Sequence, residues 1–523
     1  MPWTIPSEMS AEEQRIAGRL HRVGKFYVFL REVLPVLFDD EFQAELEAVY
    51  KPRGQEPLPA ALLATVTLLQ AYDQVSDANA VSSAEMDRRW QLVLGNMGEE
   101  KAPFSQGALV DFRNRMVKFN LDQKLLDRTV EVAKQSGKFG WQHLKAALDS
   151  SPLLGAGRVE DTWNLLGRAI RQLVGAAALA LKLTPEEIKS EVKLTVLGGS
   201  SLKATLDIDW DDPDQRSRAL EKLAREAESL SQWVREKAGE SAEKPPLKEA
   251  LSDLSQVMTQ DLEPDPNGTG KQLKRGVAKD RRPSLGDKEM RHGRKSRSKK
   301  FVGYKRHIAM AIGPRLILGA LVFPANRAEY EAAEPLLEDV KRHGEIEALG
   351  IDRGYLASPK VSELHEEGIN IRCKPWPSRN GGRFTKEDFD IRLEEKRVVC
   401  PAGVSAEIIP ENKTVIFPAG KCGPCPLQAQ CKKSTGDSGR SITLHVQEEL
   451  LLELRLERKT SEGRRELRNR VGVEHRLARI EQIQGRQARY KGTRKNTLDL
   501  RRSAVVANLQ EIARRSLNEN IAA

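Results

Sequence analysis

The chain has 523 residues, with 85 Lys+Arg against 75 Asp+Glu, a formal net charge of +10 and a pI near 9.2. That length exceeds what one hydrophobic core serves, so roughly two to four domains are expected. The longest apolar run, Leu173 to Leu181, is far too short for a bilayer span. Four of the five cysteines fall between Cys400 and Cys431, which excludes a disulfide scaffold. Met1 to Arg15 lacks the apolar core of a signal peptide, so a soluble, cytoplasmic protein without a membrane partner is expected.

From about residue 39 to 136 the pattern is helical. Leu58, Leu62, Leu63, Val66 and Leu69 recur at helical spacing around Pro59, and Leu109, Phe112, Met116 and Phe119 follow Ser105, an N-cap candidate. An all-helical domain over residues 1–140 is expected, serving either DNA-end binding or packing and dimerisation. At Leu144 the period changes to a short strand, Leu144 to Leu148, that ends in Asp149 and gives way to Ser150, Ser151 and Pro152. A helix from about Asp161 to Leu183 follows. Two amphipathic stripes come next, Leu220, Leu223, Ala227, Leu230 and Val234, then Leu247, Leu251, Leu254 and Met258. They read as a helical insertion over about 185–270.

Pro264, Pro266, Asn267, Gly268 and Gly270 make a linker, after which Lys271, Lys274, Arg275, Lys279, Arg281, Arg282, Arg291, Arg294, Lys295, Arg297, Lys299 and Lys300 crowd together with few acids. So concentrated a run reads as a phosphate-binding surface. Strands Gly303 to Ala311 and Leu316 to Phe323 flank a Gly313-Pro314 turn, and a helix runs from Asn326 to about Val340. Leu349, Gly350 and Ile351 then end at Asp352 and break into Arg353, Gly354 and Tyr355. A rigid strand fixes an acid at its end while the loop leaves room for substrate. The plain alternative is an Asp that merely closes a turn. A helix from Ser358 to Glu367 and a strand from Ile369 to Arg372 complete the order: strand with acid, hairpin, helix, strand with acid, helix, strand. That order matches an α/β ribonuclease H-like mixed sheet, whose first and fourth strands lie side by side and bring their acids together. The core is expected over 141–379 and 441–523.

Between these parts, residues 380–440 read as a β-rich insertion with almost no apolar core of its own. Cys400, Cys422, Cys425 and Cys431 offer four thiolates for a structural Zn²⁺, the alternative being a reduced, metal-free cluster. Cys373 falls outside that pattern and reads as a buried strand thiol.

Phosphodiester cleavage benefits from two divalent ions about 3.5–4 Å apart, and carboxylates suit Mg²⁺. A third acid is expected on a later helix, and the candidate is Glu474. Arg470 is four residues earlier, on the same helical face, where it can hold a phosphate oxygen; the alternative is an ordinary surface ion pair. The last helices, Glu448 to Gln484 and Thr497 to Leu517, and the segment joining them are rich in Arg and Lys, with Tyr490 among the bases.

The segments Ala147 to Leu166, Met290 to Asn326, Asp352 to Tyr355 and Gly485 to Asn496 together resemble bacterial insertion-sequence transposases of the DDE class. The likeness is closest to the longer members with a helical N-terminal domain and a cysteine motif before the last acid, and it runs from about residue 40 to 510, the insertion excepted. It implies Asp149, Asp352 and Glu474 as a catalytic triad holding Mg²⁺, with Mn²⁺ as a substitute. It implies a double-stranded DNA partner, the element's terminal inverted repeats and the target, and a homodimer or larger assembly on DNA. Arg470, Lys300, Lys305, Arg353, Arg489 and Lys491 are the DNA-facing candidates. The family signature Tyr-x2-Arg-x3-Glu-x6-Lys is half present, since Leu467 stands at the Tyr position and Glu481 at the Lys position. Arg476, Arg479 and Arg486 are nearby substitutes for the missing contacts. A nuclease without strand transfer and a degenerate DNA-binding repressor are the alternative readings.

Overall fold

The computed structural model describes the chain except for residues 1, 5, 21–23, 51–55, 138, 140, 142, 200–201, 267–269, 297, 412, 434–437 and 523. Asn267, Gly268 and Arg297, from the linker and the basic run, lie outside the described residues. The fold mixes helices with a principal sheet of six strands: β1 (Leu144–Leu154), β2 (Arg291–Arg294), β3 (Lys300–Ala311), β4 (Leu316–Pro324), β5 (Ile346–Ile351) and β6 (Asn370–Cys373). β3 runs antiparallel to β1, and β2 and β4 pair with successive parts of β3. On its other flank β1 lies parallel to β5, and β5 to β6. The strands leading to Asp149 and Asp352 are therefore neighbours.

β1 does not stop at Leu148 as its apolar run suggests. Its antiparallel partner accompanies it to Leu154↔Gly303, whereas β5 pairs only with Leu144 to Ala147. Asp149 thus sits mid-strand, where one flank becomes uncovered. Pro152 is tolerated because backbone N–H groups alternate between flanks. The Leu154 N–H points away from β3 to Arg486 O (2.9 Å), so the N–H that Pro152 lacks falls on the uncovered side. Gly303 is required opposite Leu154: its φ is +149°, and a Cβ there would lie 2.3 Å from Leu153 O.

Among the N-terminal helices, Ala60–Asp73 is buried all round from Ala60 to Ala71, as an evenly apolar helix must be. Gln106–Phe119 begins at Ser105, whose Oγ accepts the Ala108 N–H (3.2 Å). These helices share one continuous apolar core with the sheet. The helix Thr493–Ala522 joins the two, packing on β4 and on the helices Ala60–Asp73 and Leu121–Gln135. Its Asn508 is fully buried and fully used. Nδ2 donates to Ile317 O (2.8 Å) and Thr129 Oγ1 (2.9 Å), and Oδ1 accepts from Ile317 N (2.8 Å). Asp122, also buried, accepts from Arg494 (2.9 Å) and Arg501 (3.1 Å).

A second core forms where Pro213–Ala238 and Leu247–Asp261 pack on Thr162–Leu181. Leu220, Leu223, Ala227, Leu230 and Val234 are its buried stripe. Acids of these helices pair with three members of the basic run. Lys271 pairs with Glu228, Arg281 with Asp261 (2.7 Å) and Arg282 with Asp253 (3.5 Å), while Arg291 pairs with Asp280 (2.8 Å). The local charge count does not show these four pairs, because most of the partners lie far back in the sequence.

The third core is small: Phe389, Val398, Val415, Phe417, Ile442 and Leu444 under a five-stranded antiparallel sheet between Asp390 and Thr443. Beyond it, the expected long helix is three: Glu448–Lys459, Ser461–Asn469 and Val471–Gln484. The first break is made by Thr460, whose Oγ1 caps the next helix through Gly463 N (2.9 Å). The second falls at Arg470. Among the described residues, no helix is long and apolar enough to cross a membrane.

Candidate active site

Where β5 leaves β1, a cavity of about 420 Å³ opens. Asp149, Ser150, Ser151 and Pro152 line it from β1, Asp352 from the end of β5, and Arg470, Glu474, Leu477, Ala478 and Glu481 from the facing helix region. Arg294, Lys295, Phe301 and Lys305 contribute from β2, β3 and their connection, and Glu329 from the turn after β4. Asp352 is the residue that opens a single 3-10 turn, Arg353–Tyr355, without a side-chain capping bond. Gly350 faces Arg470: a Cβ there would touch Arg470 Cγ at 3.4 Å, so the arginine stem lies across the strand that leads to Asp352.

The guanidinium of Arg470 sits between two acids. Its Nη2 donates to Glu474 Oε1 (3.0 Å), and Nη1 is 3.6 Å from Asp149 Oδ2. Asp149 Oδ1 accepts the Ser150 N–H (2.8 Å). Burial pushes the Asp149 carboxyl up to about 6; the Ser150 amide and Arg470 oppose this, while the charges of Asp352 and Glu474 add to it. A buried acid raised by two neighbouring carboxylates is the electrostatic setting that a divalent cation relieves, and hard oxygen donors suit such an ion. Among the described residues, no group of three or more His, Cys, Asp or Glu side chains is gathered tightly enough to hold a metal. Between Asp149 and Glu474 the place is taken by Arg470.

Of the residues marked from sequence, Asp149, Asp352, Glu474, Arg470 and Lys305 come together on this cavity. Lys300, Arg353, Arg489 and Lys491 are not part of its lining; Lys300, Arg489 and Lys491 are exposed, and Arg489 donates to Val75 O (2.9 Å). Arg476 is no substitute for the missing signature contacts, since it is buried against Glu511 (2.6 Å). Glu481 has other business at the signature's Lys position: it receives Arg486 Nε (2.7 Å) and lies 3.4 Å from Arg306. Arg306 is fully buried, and burial lowers its pKa to about 10. It donates to Ser151 Oγ (2.9 Å), Pro152 O (3.1 Å), Gln484 Oε1 (3.1 Å) and Gly485 O (2.9 Å). It therefore fastens the helix carrying Glu474 to the strand carrying Asp149. Neither Arg306 nor Glu329 stands out in the sequence, because each finds its partners more than a hundred residues away.

In the small β-rich sheet, Cys400, Cys422, Cys425 and Cys431 line one pocket, and three of them, Cys400, Cys422 and Cys431, pack against its core. Burial raises the Cys431 thiol, Arg440 lowers it, and the other three thiols raise it further. Cys373 is buried at the end of β6, and burial pushes its thiol up to about 12. Trp376 is exposed, its ring 6.0 Å from that of His445.

Residues 399–513 match the family described as "Transposase DDE domain", and residues 15–115 match "Transposase domain (DUF772)". These two matches support an insertion-sequence DDE transposase. The DDE match takes in the cysteine motif, Glu474 and the first two thirds of the helix Thr493–Ala522, and the second match covers most of the N-terminal helices. No curated protein and no solved structure matches the chain.

Proposed function

We propose that this transposase cuts the ends of its element by metal-dependent phosphodiester hydrolysis and joins the exposed 3′-hydroxyls to target DNA, using a ribonuclease H-like core. The observation that carries the reading is the convergence of Asp149, Asp352 and Glu474 on one cavity rimmed by Arg294, Lys295, Lys305 and Arg470. Asp149, Asp352 and Glu474 would hold Mg²⁺, or Mn²⁺ in its place, which when bound activates the attacking oxygen and neutralises charge at the phosphate. The cationic rim positions the DNA backbone, since lysines and arginines contribute phosphate contacts that fix register without reading bases. Arg470 presents a planar fork suited to a phosphate beside the acids. Water and then the 3′-hydroxyl act as nucleophiles, so no covalent enzyme intermediate is required. The N-terminal helices and the exposed Lys300, Arg489 and Lys491 extend the DNA surface, and two protomers or more bring two ends together in the cytoplasm.

The test is incubation of the full-length protein and Mg²⁺ with duplexes made from the DNA bordering its own gene, together with a target plasmid. Joined products are expected. Cleavage without joining would reduce the protein to a nuclease, and binding alone to a repressor.

On the same reading, Cys400, Cys422, Cys425 and Cys431, which line one pocket, would draw together around a structural Zn²⁺ that makes up for the small core around Phe417. Elemental analysis of protein purified without added metal is expected to give one zinc per chain, and the Cys422→Ser/Cys425→Ser variant to give none. Zinc-free wild type would overturn the assignment.

A further inference from the structure

A further acid lines the cavity and belongs to none of the roles above. Glu329 opens the 3-10 turn Glu329–Ala332 that follows β4, and its Oε1 accepts the Ser150 hydroxyl (2.8 Å). Ser150 is the residue whose backbone N–H holds Asp149 Oδ1 (2.8 Å). The same glutamate lies directly over the turn that follows Asp352: a Cβ on Gly354 would fall 1.8 Å from Glu329 Oε2. Gly354 is therefore small to admit this carboxylate, and any other residue there would displace it.

The other side of Ser150 is equally constrained. Its cross-strand neighbour is His307, fully buried, whose Nδ1 is 2.8 Å from the Tyr355 hydroxyl. Tyr355 is itself fully buried and ends the turn that Asp352 begins. Burial drives the His307 pKa down to about 3, so it stays neutral through the working range and the wall it forms does not change charge. Ser150 is thus held between Glu329 and the buried His307 and Tyr355, and these groups reach both the Asp149 strand and the Asp352 turn.

We propose that Glu329 is a positioning residue for the two strand acids: by accepting the Ser150 hydroxyl while seated on Gly354, it fixes the Asp149 carboxylate relative to the Asp352 turn. The inference rests on the assignment of Asp149 and Asp352 as the catalytic acids. A role through Ser150 differs from a role as a direct ligand, because the acceptor oxygen matters and the negative charge does not. Glu329→Gln keeps an oxygen for the Ser150 hydroxyl, whereas Glu329→Ala and Ser150→Ala each remove one half of the same hydrogen bond.

The experiment measures cleavage of the gene-bordering duplexes and, separately, Mn²⁺ binding by the full-length protein. Glu329→Ala and Ser150→Ala are expected to lower the cleavage rate by the same factor, about tenfold to a hundredfold, with the DNA concentration for half-maximal rate unchanged. The double variant is expected to lose no more than either single one, the signature of two groups acting as a unit. Glu329→Gln is expected to remain within about threefold of wild type in cleavage. Mn²⁺ affinity should follow the same order: weakened equally by both alanine variants and spared by the glutamine. If Glu329→Gln fails as badly as Glu329→Ala, or if the two alanine losses multiply, the positioning role is wrong. A wild-type protein that cleaves no duplex would instead overturn the assignment of the function, and the Mn²⁺ series would still decide the role of Glu329.

Discussion

Asp352→Ala is expected to abolish both cleavage and joining, a loss of at least about a thousandfold, while binding to the gene-bordering duplexes stays within about twofold. The asymmetry follows from where the residue sits. Asp352 stands at the end of β5, inside the cavity, and the cations that would contact DNA phosphates, Arg294, Lys295 and Lys305, come from other elements. Removing one carboxylate leaves that rim intact and, if anything, makes the cavity less negative. Gel-shift titration beside a cleavage assay separates the two effects. Cleavage retained by Asp352→Ala would remove the central acid from the mechanism, and binding lost in parallel would point to a misfolded turn. Asp352→Asn, which keeps the size of the side chain, distinguishes these outcomes.

Arg306→Leu is expected to cost about 3–5 kcal/mol, because it removes a fully buried guanidinium and strands its acceptors. The acceptors are Ser151 Oγ, the carbonyls of Pro152 and Gly485, and Gln484 Oε1. A chain with several cores does not unfold in one step, so the loss is best read as a lower midpoint of the first urea transition. Glu481→Gln is the milder companion, since Glu481 is only 3.4 Å from Arg306 at one oxygen and a third exposed. An unchanged urea profile for Arg306→Leu would show that the helix with Glu474 is held to β1 by its apolar contacts alone.

Features that depend on near neighbours are legible in the chain. Ser105 starts its helix, the leucine stripes of the insertion face a core, and Leu349 to Tyr355 forms a strand followed by a tight turn. Each of these depends on neighbours a few residues away. The misreadings share the opposite property. β1 continues through Ser150, Ser151 and Pro152 because β3 lies alongside it, and nothing within that tripeptide announces it. Part of the basic run is tied down by Glu228, Asp253 and Asp261, which lie outside it in the sequence and come back to it in space, while Arg294 and Lys295 line the cavity. Glu481 departs from the family signature, yet it has a physical occupation beside Arg306 that only the packed structure reveals. Glu329 had no signal at all: a glutamate at the start of a helical turn is common, and its meaning comes from Ser150 and Gly354.

The bond between Arg494 and Asp122 spans 372 residues. At about 5–20 residues per second, a ribosome separates the synthesis of its two partners by on the order of tens of seconds. Over that interval the N-terminal helices have emerged without the helix that closes their core, and β4 lacks the Asn508 bridge. The N-terminal helices and the sheet thus finish packing together late, so a nascent or truncated product completes neither the shared core nor the cavity beside Asp149.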